Sequence, residues 1–469
     1  MRKIVLGRGE RLDEGMLGRE AASLPAEVVE AAEAIVADVR ARGDAAVREL
    51  TERFDGSCPD DLRVPDEEFA HARAEVGPAF LASLEKAAAQ IRAFHEHELL
   101  EGFTCERPDG TRLGVRVTPL ASAGIYVPGG RANYPSTVLM NAIPAKVAGV
   151  GHVAMCTPAG KDGRVNPYTL VAAQVAGVDE VFSVGGAQAI AALAYGTETI
   201  PKVDKVTGPG NAYVAAAKRC VAGVVGIDMI AGPSEVCVLA DATADPVVVA
   251  ADLMAQAEHD PMASCYLVTC DAGLPERVRE AAELLVGQSP RAEVTRASLE
   301  GRGALVVCQD VEDAAEAVNV IAPEHLELHC EGARDVLGLI RNAGAIFVGP
   351  WSSEPLGDYV AGPNHTLPTG GTARFSSPLG VYDFQKRSSV IEYSPAGLVA
   401  DGPDVQVLAE AEGLWAHALS VGMRLRLVEA GAAGYEDIMA ACEDAGSIAW
   451  PDAAGADESP APGAGRKEE

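Results

Sequence analysis

Apolar positions along the chain fall into two textures. Over residues 26 to 54 they recur at close to 3.6-residue spacing (Val28, Ala32, Ile35, Val39, then Val47 and Leu50), with Gly43 between the sets, which predicts two helices that each pack one face. Residues 78 to 100 repeat that character. From about residue 113 short apolar runs take over, each closed by Gly or Pro and followed by an Ala-rich helical segment. Val115-Arg116-Val117 leads to Ile125-Tyr126-Val127-Pro128-Gly129-Gly130, and His152 to Cys156, Glu180 to Val184 and Lys205-Val206 each precede a helix. A second series begins after Gly232, with strands over 235–240, 264–269, 303–308 and 344–348 and helices over 246–258, 275–287, 311–320 and 333–342. Strand and helix in alternation predict two parallel sheets, covered on both faces, with a ligand cleft between them.

Residues 351 to 380 are rich in Gly, Pro, Ser and Thr without periodicity, and a loop that long inside a compact domain is more often functional than idle. Helices resume over 404–420 and 435–445, and 451–469 is Ala/Gly/Pro plus charge, which predicts a disordered tail.

Composition narrows the function classes. The 469 residues are 48% hydrophobic and 23% charged, as in a globular protein. A net charge of −30 argues against binding a nucleic-acid backbone, which needs a basic face, but leaves room for a dinucleotide held by backbone N–H groups. The opening Met1 to Arg8 has no apolar run of signal-peptide length, and no stretch approaches about 18 apolar residues, so a cytoplasmic protein without membrane spans is expected. Cys156, Cys237, Cys265 and Cys308 sit inside apolar runs without CxxC spacing and read as reduced, packed thiols.

Candidate chemistry centres on Ala322-Pro323-Glu324-His325-Leu326, where an imidazole and a carboxylate stand side by side and could move protons. The same residues also read as an ordinary helix start, Pro followed by Glu. Gln256 and His259, three apart on a helix, face the same way. Asp358 and His365 in the Gly-rich loop, and Glu412 and His417 late in the chain, add carboxylates and imidazoles. Nitrogen and oxygen donors without thiolate suit Zn²⁺ or a similar ion. Spacing cannot show that these groups meet. Gly185-Gly186-Ala187-Gln188 and Gly208-Pro209-Gly210-Asn211 lie between a strand and a helix, where an anion could bind, though neither matches GxGxxG and ordinary tight turns fit as well. Ser234, in Gly232-Pro233-Ser234-Glu235, could meet a ligand or cap a turn.

Together these segments resemble histidinol dehydrogenase. Tyr126-Val127-Pro128-Gly129-Gly130, Gly185-Gly186-Ala187-Gln188-Ala189, Gly208-Pro209-Gly210-Asn211, Gly232-Pro233-Ser234-Glu235, Gln256-Ala257-Glu258-His259, Ala322-Pro323-Glu324-His325, Asn364-His365-Thr366-Leu367-Pro368-Thr369 and Glu412-Gly413-Leu414 occur in that family's order, from about residue 10 to about 430. The resemblance implies an intertwined homodimer of two Rossmann-like domains with helical N- and C-terminal extensions. It divides the chain into an arm (1–25), a first α/β domain (26–129 plus 236–380) with the Glu-His pair and most metal ligands, an NAD-binding α/β domain (130–235), a helical segment reaching the partner (381–450) and the tail.

By position it implies Zn²⁺ on Gln256, His259, Asp358 and His417, with His417 from the second subunit. The substrate L-histidinol would meet that set and Ser234, His325, His365 and Glu412. NAD would meet Tyr126, Gln188 and Asn211, and Glu324 and His325 would accept protons. The implied reaction is L-histidinol to L-histidine through L-histidinal with two NAD⁺, without a cysteine nucleophile. Oxidation of another small polar alcohol and, against the Gly-rich turns, a zinc hydrolase are the rival readings.

Overall fold

The computed structural model describes residues 1–17, 24–129 and 134–431. The predicted helix over 435–445, the tail and Gly130 lie outside these residues. The chain forms two compact units, residues 1–100 with 118–386 and residues 101–117 with those from 387 on.

In the first unit, β1 (Arg2–Val5) precedes four helices, α1 (Ala26–Arg42), α2 (Asp44–Asp55), α3 (Asp66–Glu75) and α4 (Pro78–His95). Gly43, at φ 57°, ends α1 and starts α2, as the spacing predicts. The second unit holds β2 (Phe103–Glu106) and most of β3 (Arg112–Pro119). The first unit resumes with β4 (Ser122–Tyr126), α5 (Pro135–Ala148), β5 (His152–Thr157), α6 (Pro167–Ala176), β6 (Glu180–Ser183), α7 (Gly186–Tyr195), β7 (Lys205–Thr207), α8 (Ala212–Val221) and β8 (Gly226–Ile227). These strands form a parallel sheet in the order β6-β5-β4-β7-β8. Its two faces are both core: on β5, Val153 and Met155 join one apolar cluster while Ala154 and Cys156 join another. That explains why these strands read as continuous apolar runs.

The second series gives β9 (Glu235–Ala240), α9 (Pro246–Ala257), β10 (Ser264–Thr269), α10 (Leu274–Val286), α11 (Ala292–Gly301), β11 (Ala304–Val307), α12 (Val311–Ile321), β12 (His325–His329), α13 (Ala333–Leu337), β13 (Ala345–Val348) and α14 (Glu354–Tyr359). With β1 they form a six-stranded parallel sheet, β1-β11-β10-β9-β12-β13. In the second unit β14 (Gln385–Glu392) joins β3 and β2 in a three-stranded sheet, and α15 (Pro395–Ala411) packs on α16 (Trp415–Ala430).

Four expectations change. Within the expected arm, Arg2–Val5 forms the edge strand of the six-stranded sheet, paired with β11. Residues 26–126 do not belong with that sheet: β4 pairs with β5 and β7, α1 and α2 pack on α7 and α8, and α3 and α4 pack on α6 and α5. Amphipathic helices advertise a buried face but not the sheet that buries it. A helix over 404–420 is instead two, because Gly413 at φ 70° turns the chain after α15. Finally, Ala322-Pro323-Glu324-His325 does not start a helix: it ends α12 and enters β12, a strand that the sequence reading passes over. Ala322 closes α12 in the left-handed region (φ 46°), the sole non-glycine there among the described residues.

Candidate active site

β12 carries the site because its two faces differ. Leu326 and Leu328 enter the apolar cluster shared with α12, while His325, Glu327 and His329 point to the opposite face. In register, those three stand opposite Val236, Val238 and Ala240 of β9, whose side chains pack with α9. A row of ionisable side chains is thus buried within a parallel sheet, where only partners or ligands can offset the desolvation cost.

Glu324 and His325 are both buried and both anchored to the backbone of one residue, Glu235, at the start of β9. The N–H of Glu235 donates to Glu324 Oε2 at 2.9 Å, and His325 Nδ1 lies 3.2 Å from the Glu235 carbonyl. The imidazole and carboxylate are 3.8 Å apart, and His325 Nε2 is 3.7 Å from Asp358 Oδ1. Burial pushes the Glu324 carboxyl up to about 8, against the pull of His325. Burial alone would pull His325 down, but the charges of Glu324, Glu354 and Asp358 raise it to about 10. The pair therefore holds its protons more tightly than either side chain would in water.

Asp358 sits on α14, and His365 Nδ1 lies 3.1 Å from its carbonyl oxygen. Burial pushes the Asp358 carboxyl up, yet His325, His365 and His259 outweigh it and hold it below the usual range. Burial lowers both His259 and His365, which keeps them unprotonated and able to act as ligands. Both amide atoms of buried Gln256, near the end of α9, lack a hydrogen-bond partner, as expected of a side chain waiting for a ligand. A cavity of about 670 Å³ opens beside His325, Asp358 and His365, walled by Phe94, Phe347 and Leu379.

Sequence reasoning overlooks Glu354. Its side chain is buried, its Oε2 is unpartnered, and one carboxylate oxygen lies within 4.8 Å of ligand atoms of His325 and Asp358. The signal was its place four residues before Asp358, which puts both on one helix face. Ser234, half-buried, directly precedes the Glu235 peptide. Glu412 and His417 belong to the second unit, exposed at the end of α15 and on α16.

The glycine turns lie at the carboxyl ends of the five-stranded sheet. The Tyr126 hydroxyl accepts the Gly186 N–H at 3.0 Å, the start of α7 has no side-chain cap, and buried Gln188 leaves Oε1 unpartnered. At the start of α8, Asn211 Oδ1 itself accepts the N–H groups of Tyr213 and Val214, so this terminus is already capped. Gly208, at φ 114°, is pinned from both sides: its N–H donates to Asp228 and its carbonyl accepts from Lys218 Nζ, which is ion-paired to Asp228. A Cβ there would lie 2.0 Å from the Tyr126 carbonyl oxygen, so only glycine fits.

Two covered parallel sheets, one with glycine turns at its carboxyl end and one with a buried acid–base pair beside a cavity, define an α/β enzyme. Residues 19–425 match the family model for histidinol dehydrogenase. The histidinol dehydrogenase of Chlorobaculum tepidum is 54% identical over 388 residues, 83% of this chain and 91% of that protein. That of Pseudomonas aeruginosa is 54% identical over 394 residues, 83% of this chain and 89% of its own. The crystal structure of histidinol dehydrogenase from Elizabethkingia anophelis superposes with a TM-score of 0.87 at 35% identity, covering 92% of this chain and 99% of that one. The chain belongs to the histidinol dehydrogenase family, oxidoreductases acting on histidinol in histidine biosynthesis. Among the described residues no helix is long and apolar enough to cross a membrane.

Proposed function

We propose that this enzyme oxidises L-histidinol to L-histidine through L-histidinal with two NAD⁺, as a cytoplasmic homodimer with one catalytic zinc ion per subunit. The buried Glu324–His325 pair facing Asp358 beside the cavity carries this reading. Gln256, His259, Asp358 and, from the second copy, His417 would hold zinc, whose coordination would fix the amino and imidazole nitrogens of histidinol. Tyr126, Gln188 and Asn211 would hold NAD⁺, which would accept hydride in each oxidation. The unpartnered amide of Gln256 and the unpartnered Oε1 of Gln188 support those two assignments.

The protein groups then divide the proton work. His325, held by the Glu235 carbonyl through Nδ1, takes the hydroxyl proton of histidinol at Nε2. Glu324, held by the Glu235 N–H through one oxygen, takes a proton from the water that hydrates histidinal, and the hydrate is oxidised in turn. Ser234 and His365 line the substrate, and Glu412 from the second copy meets its imidazole N–H. Buried Cys156 and Cys237 take no part, because burial drives both thiols far above the ordinary range.

The test is NADH formed per histidinol consumed, before and after chelation. Two NADH with histidine as product, lost on chelation and restored by zinc, is the expected result. One NADH with free aldehyde removes the role of Glu324, and turnover of a different alcohol alone replaces the substrate.

A further inference from the structure

The far end of the ionisable row on β12 is unused by the chemistry above. Glu327 and His329 there face Asp252 of α9, and all three residues are buried. His329 Nε2 lies 3.4 Å from Glu327 Oε2 and 3.7 Å from Asp252 Oδ2. One donor atom from each of the three lies within 4.8 Å of the other two. None of Asp252 Oδ2, Glu327 Oε2 and His329 Nε2 has a hydrogen-bond partner, although the second oxygen of Glu327 accepts the Glu354 N–H at 2.7 Å. Hydrogen bonds to the imidazole would be shorter than these separations. Donors bound about 2.0–2.1 Å from one tetrahedral zinc ion stand about 3.3–3.4 Å apart, close to what is seen.

We infer that Asp252, Glu327 and His329 form a second divalent-metal site, distinct from the one at His259 and suited to Zn²⁺. Two carboxylates, a neutral imidazole and a divalent ion sum to zero charge, which removes the cost of burying a like-charged pair. With no ion the groups must be neutralised by protons: burial pushes Glu327 up to about 9, raises Asp252 and lowers His329. The ligands come from a helix and a strand, so the ion would brace α9 against β12. That brace lies one helical turn from Gln256, which follows Asp252 by four residues on the same face of α9.

The test counts Zn²⁺ bound per chain by elemental analysis and calorimetry, using full-length enzyme stripped with chelator and then titrated with ZnCl₂. Wild type should bind two equivalents, with one lost in His329→Gln and one in Asp252→Asn. His259→Ala, which removes only the catalytic ion, should keep one, and the double variant with His329→Gln should bind none. If the zinc of the proposed reaction is wrong but this site is right, wild type binds one equivalent that His259→Ala keeps and His329→Gln loses. The inference is overturned if His329→Gln and Asp252→Asn bind as much as wild type, or if His259→Ala binds none. The latter result would leave a proton shared between Asp252 and Glu327 as the neutralising device. Should the first two variants fail to fold, the count for His259→Ala alone decides.

Discussion

The two parallel sheets of the first unit put their chemistry at opposite ends of their strands. In the five-stranded sheet the strand order reverses between β4 and β7, and the glycine turns sit just past the carboxyl ends of those strands and of β6. That is where open α/β sheets usually bind ligands, with backbone N–H groups as the donors. In the six-stranded sheet the order reverses between β9 and β12, but Glu324, His325 and Glu235 lie at the amino ends. There side chains supply the polarity, and they are buried. The turn end needs glycines and tolerates little bulk, while the acid–base end needs ionisable groups held in place by the backbone of one residue.

The largest effect should come from the acid–base end. Glu324→Gln is expected to slow oxidation of supplied histidinal by about 10²–10⁴-fold, the usual worth of a positioned general base, and oxidation of histidinol by less. Equal slowing of the two half-reactions would end the division between Glu324 and His325.

A smaller effect is expected at the turn end. Gly208→Ala forces a side chain onto the Tyr126 carbonyl at a positive φ, at about 1–3 kcal/mol, and should raise KM for NAD⁺ more than KM for histidinol. If denaturant midpoint and both KM values stay unchanged, the carboxyl end is not the dinucleotide end.

The smallest is a shift in pH dependence. A base works only when unprotonated, and His325 is raised to about 10. Turnover of histidinol should therefore still be climbing between neutral pH and about 10. Removing the Glu324 charge takes away one cause of that rise, so the climb in Glu324→Gln should end at lower pH. A profile that moves upward, or not at all, would deny the coupling between the pair.

Much of the scaffold is legible in the chain because its strands are buried on both faces: Glu235–Ala240 and Ser264–Thr269 can be read straight from apolar runs. β12 was hidden for the opposite reason. His325-Leu326-Glu327-Leu328-His329 alternates with a strand's period of two, but its polar half faces the protein, so it resembles a solvent-exposed strand or a helix start. Pattern also fails to join α1–α4 to the five-stranded sheet, since a residue pattern records that a face is buried and not what buries it. At the site, residue types suggest chemistry at Gln256, His259, Asp358 and Glu324, whereas the unpartnered atoms of Gln256 and the place of Glu354 emerge only in three dimensions.

The connection from α12 to β12 is three residues long, from left-handed Ala322 through Pro323 to Glu324. Pro323 has a fixed φ and Ala322 already occupies a conformation that costs about 1–2 kcal/mol, so the link behaves as a rigid hinge pin rather than a tether. Length variation, the ordinary way in which a scaffold acquires new specificities, is therefore closed on this side of the pocket. The opposite wall, from Trp351 to Gly380, is long and largely irregular. Changes in what this catalytic pair acts upon can be written there so long as Glu354 and Asp358, whose charges bear on His325, are kept.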